Sequence, residues 1–189
     1  SGGVWRRNWG YILCMFLLMT AFFIYPANFA IVTAAEGAIP MSLCAVIMAG
    51  TDLVAFGGGL AFVWVKRASG KCARLVAPAL FLLGYCLLAF VGGWGGTIAG
   101  SALVGFANGV GVPFIISSAS ANEGKAAATT VMPLISASLY LSQFLSPFIL
   151  SLVSRLASGV VKLPYYLAVG VSAAFLLFAL FAPGKTMNK

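Results

Sequence analysis

Residues 9–33 read WGYILCMFLLMTAFFIYPANFAIVT, a run without a single charged side chain. A helix needs about 20 apolar residues to cross the hydrocarbon core of a bilayer, so this run is long enough to span it. It is also too long for the apolar region of a signal peptide, and no small-residue cleavage pattern closes it. Outward from it, runs of the same kind occupy 41–65, 74–93, 97–121, 126–153 and 164–182. The whole chain of 189 residues is 62% hydrophobic and 7% charged, with a mean hydropathy of +1.07. That leaves too little polar material to cover a water-soluble surface. The expected fold is an all-α polytopic membrane protein with six transmembrane helices in a bundle over 9–182. Residues 1–8 read as a cytoplasmic linker or expression remnant, and 183–189 as a cytoplasmic tail.

The net charge of +8 could advertise nucleic-acid binding, but the basic residues alternate loop by loop as membrane topology requires. Arg6, Arg7, Lys66, Arg67, Lys71, Arg74, Lys125, Lys185 and Lys189 fall on one side of the predicted spans. Only Arg155 and Lys162, with Glu36, fall on the other. Cytoplasmic loops retain Lys and Arg, so both termini are expected in the cytoplasm and no nucleic-acid partner is expected. A bacterial inner membrane is the expected location.

Missing chemistry removes several membrane functions. The chain has no His, so an intramembrane serine protease would lack its usual base, and the HExxH of a zinc protease is absent. Ser69-Gly70-Lys71 and Glu123-Gly124-Lys125 lack the upstream glycine and following hydroxyl of a phosphate-binding loop. Pro26-Ala27-Asn28 holds the letters of the water-channel signature in the wrong order. Cys14, Cys44, Cys72 and Cys86 show no CxxC spacing, which makes them small apolar fillers. No catalytic residue, metal site or cofactor is expected.

Polarity is uneven along the chain. The third and sixth spans are almost wholly apolar and are expected at the periphery. The first, second, fourth and fifth carry Thr20, Tyr25, Asn28, Thr51, Asp52, Asn108, Ser136, Tyr140 and Gln143 and are expected inside. Two triples, each ending in an apolar helix, match the three-helix inverted repeats common in transporters. Three segments stand out: Gly57-Gly58-Gly59 with Lys66-Arg67 and Gly70-Lys71, the glycine-rich stretch from Gly105 to Pro113, and Gly124-Lys125 followed by Gln143-Phe144-Leu145-Ser146-Pro147. On these the chain resembles the C-terminal six-helix half of a major facilitator superfamily transporter. The family's loop usually has an acid ahead of its basic pair, where this chain has Trp64 and Val65. The resemblance implies a loop motif of Gly59, Lys66, Arg67, Gly70 and Lys71. It also implies alternating access and a partner, either an N-terminal six-helix half preceding Ser1 or a second copy in a homodimer.

Asp52 is the only acid inside a predicted span. A carboxylate there costs several kcal/mol unless paired, hydrated or protonated, which makes it the candidate proton or cation site; a structural hydrogen bond is the competing role. Ser136, Tyr140, Gln143 and Pro147 advance by four, three and four residues and share one helical face. Gly105 and Gly109 form GxxxG, a close-packing signal in membranes. Tyr25 and Asn28 share a face beside Pro26, which interrupts the helix hydrogen bonds. With Thr20, Thr51 and Asn108 these polar residues are the candidate substrate cavity. The expected function is half of a secondary active transporter, possible proton coupling included, for a small neutral or cationic solute. A non-transporting membrane scaffold or assembly protein is the alternative.

Overall fold

The computed structural model describes residues 2–181, so Lys185, Lys189 and the expected tail at 183–189 lie outside it. The described residues form α-helices α1 (Gly2–Glu36), α2 (Met41–Ser69), α3 (Ala73–Cys86), α4 (Gly93–Glu123), α5 (Ala127–Leu156) and α6 (Leu163–Phe181). Short 3-10 turns, Gly70–Cys72 and Gly124–Ala126, join α2 to α3 and α4 to α5, and a π-helical turn, Leu87–Val91, ends α3. Counted as uninterrupted helix, four stretches are long and apolar enough to cross a membrane: Gly3–Glu36, Met41–Val91, Gly93–Leu156 and Leu163–Phe181. This architecture fits an integral membrane protein.

The two longest stretches fold back on themselves at glycines in the left-handed region, Gly70 at φ 51° and Gly124 at φ 59°, where a side chain would be strained. At Gly70 the chain reaches its turn with Lys66 within 6.0 Å of the Phe114 ring. It then returns along α3, which brings Gly84 against the Gly100 carbonyl. The chain therefore alternates direction, giving the bundle an N-terminal end, where α1 starts, and a far end, where α1 stops.

Most of the packing within the bundle pairs up under exchange of α1 with α4, α2 with α5 and α3 with α6, although among the described residues α1 touches α3 and α4 does not touch α6. The second helix packs on α4 and the fifth on α1; α3 packs on α4 and α6 on α1; α1 meets α4 and α3 meets α6. The neighbours α2 and α3, like α5 and α6, touch only slightly. Since α1 and α4 run in opposite directions, the exchange also inverts chain direction.

Burial departs from the expected inside and outside. The third and sixth helices pack on each other and bury Phe81, Tyr85, Leu88, Tyr165 and Phe175, whereas α2 buries only Cys44, Thr51 and Gly58. Those three positions are seven residues apart, a single seam. The fifth helix is likewise buried along one line, Ala127, Val131, Ile135, Ser138, Ser142 and Ser146. Both are rim helices. Polar residues mark faces that need a cover, and sequence alone does not say whether the cover is the chain's own helices or another surface.

Residues 2–8 are the opening turns of α1, where a linker was expected. Arg7 explains why: its guanidinium forks onto the Glu123 carboxylate at 3.1 and 3.0 Å. Asn8 donates to the same carboxylate and accepts from Asn122 at 2.9 Å. At the far end Lys162 pairs with Glu36 at 2.7 Å and donates to the Leu88 and Ala89 carbonyls at 3.3 and 3.2 Å. A cation at a helix C-terminus meets its negative dipole end. The lysine that broke the charge alternation is thus a structural tie between α1, α3 and α6.

Candidate functional site

The structure divides the polar candidates into two groups. Thr20, Tyr25, Asn28 and Thr51 are buried, and each uses its side chain on a neighbour. Thr20 donates to the Phe16 carbonyl at 2.7 Å and lies 2.8 Å from the Ser142 hydroxyl, which leaves Ser142 to donate to it. Tyr25 donates to Ser101 at 2.8 Å and stands 3.1 Å from Thr51, so one phenol joins α1, α2 and α4. Thr51 also reaches back to the Ile47 carbonyl at 3.0 Å, and Asn28 to the Ile24 carbonyl at 2.9 Å. Asn108 on α4 keeps its Oδ1 buried without a partner among the described residues.

Asp52, Ser136, Tyr140 and Gln143 form the second group, and all are exposed. On α5, Ser136, Tyr140, Gln143 and Pro147 do share a face, as their spacing predicts, and that face points outward, with Tyr140 67% exposed. Asp52 lies on the outer side of α2 among the exposed Leu53, Phe56 and Leu60. One residue turns a helix by about 100°, which is why Thr51 enters the seam and Asp52 does not. The second and fifth helices make no contact with each other, so this chain does not assemble the two groups into one enclosed cavity.

The glycine and basic loop sits at the N-terminal end. Gly59, Lys66, Arg67, Gly70 and Lys71 are all exposed, the Gly70 N–H closes the end of α2 on the Lys66 carbonyl, and Lys66 lies 5.8 Å from the Phe62 ring. Arg74, at the start of the expected third span, belongs to the first turn of α3. Its Nε and one Nη are buried with no partner among the described residues.

Several contributors escaped the sequence reading. Ser138, Ser142 and Ser146 recur every four residues and line the α1 side of α5; Ser138 donates to the Ile12 carbonyl at 2.8 Å and Ser146 to the Ser142 carbonyl at 2.8 Å. The fourfold spacing was the available signal. Tyr85 donates to the Ala21 carbonyl, beside the stretch of α1 where Pro26 removes a backbone donor. At the far end, a cleft of about 500 Å³ opens between α1, α5 and the α5–α6 connection, and Asn28, Ser151, Ser154 and Ser158 supply its polar groups. Its polar groups are hydroxyls and an amide, of which Asn28 donates to the Ile24 carbonyl and Ser154 to the Ser151 carbonyl.

Compared with known proteins, the chain has no significant match to a protein-family model, a curated protein or a solved structure.

Proposed function

We propose that this chain is one half of a secondary active transporter of the major facilitator kind. Its six helices would cross the membrane as two inverted three-helix repeats and move a small solute by alternating access. The observation that carries the reading is the packing pattern, most of which maps onto itself when α1–α3 exchange with α4–α6 and chain direction inverts. The exposed polar groups on α2 and α5 support the need for a partner. A carboxylate and an amide stripe facing hydrocarbon would cost several kcal/mol, and an N-terminal six-helix half or a second copy would cover them. Asp52 then lies at the seam between halves, where a proton or cation can reach it, and the solute passes between that partner and the exposed Ser136, Tyr140 and Gln143 face of α5.

In this reading both termini are cytoplasmic and the membrane is a bacterial inner membrane. Among the described residues, Arg6, Arg7, Lys66, Arg67, Lys71, Arg74 and Lys125 gather at the N-terminal end and only Arg155 and Lys162 at the far end, the asymmetry of the positive-inside rule. The cleft chemistry favours neutral or cationic, partly apolar solutes.

The test is reconstitution in proteoliposomes, alone and with the candidate partner half, with an internal pH dye reporting proton movement as lipophilic cations or neutral metabolites are added. Solute-dependent proton flux that Asp52→Asn abolishes is the expected result. No flux with any solute class, or flux that Asp52→Asn leaves unchanged, removes the transport role or the coupling role respectively.

A further inference from the structure

A second groove, of about 550 Å³, runs along the outer side of the bundle at its N-terminal end. Trp5, Trp9, Ile12, Leu13 and Phe16 of α1 form its floor, and Leu134, Ala137 and Leu141 of α5 form one wall. The fifth and sixth helices both pack on α1 but touch each other little, and residues 157–162 join them at the far end. Toward the N-terminal end they therefore stand apart with α1 between them. Trp9 meets Phe178 of α6 edge-on, with ring centroids 5.5 Å apart, which closes the other side. The groove opens away from the exposed polar stripe of α5 and toward the outside of the bundle.

We propose that this groove holds one acyl chain of an anionic phospholipid, with the lipid phosphate against Arg6. From Trp5 to Phe16 the floor rises about 16 Å at 1.5 Å per residue, about half the 30 Å hydrocarbon thickness, which is the depth of one leaflet. The lining is apolar, and its one hydroxyl, Ser138, is already bonded to the Ile12 carbonyl. Trp5 and Trp9 stand at the mouth, where indole rings favour the headgroup level.

Charge selects the headgroup. Arg6 precedes Leu13 by seven residues and so shares its face of α1. It is exposed and makes no ion pair among the described residues. Glu123, the one acid at this end, is already held by Arg7 and Asn8. A zwitterionic lipid would bring its own cation to the same mouth. An anionic headgroup brings none.

Native mass spectrometry of the full chain, released from micelles containing equal phosphatidylglycerol and phosphatidylcholine, tests this. One retained phosphatidylglycerol is expected. Arg6→Gln should reduce the preference about fivefold, the share of one basic residue near an anionic surface, and Ala137→Phe, which fills the groove, should abolish retention. Arg6 and Ala137 are both exposed, and circular dichroism checks that each variant keeps its helices. Equal retention of the two lipids overturns the proposal, as does an equal loss in the exposed control Arg67→Gln. So does a protein dimer, in place of a lipid adduct, that disappears in Ala137→Phe, because the groove would then seat a second copy.

Discussion

Thr20 and Ser142 are 122 positions apart and share a buried hydrogen bond, so their coupling reports directly on the α1–α5 contact. Interhelical hydrogen bonds in membranes average about 0.6 kcal/mol and reach about 1.7. A Thr20→Ala, Ser142→Ala double-mutant cycle, read by reversible unfolding in detergent, should return a coupling in that range; additivity would mean the hydroxyls are independent. Glu123 gives a pH signature. Hydrogen bonds from Arg7 and then Asn8 hold its carboxyl below the ordinary 4.5. The stability it adds is therefore fully present above 4.5 and is lost as pH falls through the lowered folded value. Wild type should exceed Glu123→Gln in melting temperature by a constant amount between pH 7 and about 5, with the gap closing in more acidic buffer. A gap that widens with acid would contradict the pairing.

At the scale of the helix, the α2–α4 contact depends on the absence of side chains. A Cβ on Gly105 would overlap the Thr51 carbonyl and one on Gly109 the Ala55 carbonyl, while one on Gly58 would stand 2.9 Å from the Phe106 oxygen. Backbones approach this closely only through small residues, which is how membrane helices gain packing energy without a hydrophobic drive. Gly109→Leu should lower unfolding stability by about 3 kcal/mol, the upper range for overpacking. Gly50→Leu on α2 faces open space and should leave it nearly unchanged. Equal effects of the two would show that α2 is not seated on α4 as described. The GxxxG spacing made this contact legible in the sequence. The serine line of α5 was as regular, but serines at fourfold spacing do not announce which helix they will face.

For the whole molecule, reagent access reads out the direction of the bundle. Cys72 is exposed in the turn between α2 and α3, so in sealed cells an impermeant maleimide should leave it unmodified, while Ser158→Cys at the far end should react. The reverse pattern would invert the proposed orientation. Helical content and the approximate ends of the apolar runs were legible because lipid admits few backbone solutions. What lay beyond reach was the assignment of faces: Asp52 and Gln143 looked inward by polarity and stand outward by geometry. A polar stripe records that contact is required and leaves the contacting surface unnamed. The helix over residues 2–8 was illegible for a related reason, since the value of Arg7 depends on Glu123, which folding alone brings near.

The two ion pairs also set how α1 can deform. Arg7 ties its first turns to the end of α4, and Glu36 ties its last turn to Lys162 at the start of α6. A rod clamped at both ends bows instead of tilting, and bending collects where the rod is weakest. In α1 that weak point is Pro26, whose ring removes one rung of the hydrogen-bond ladder. The missing rung lies in the turn that carries Tyr25 and Asn28, so bending of this helix would be felt first there.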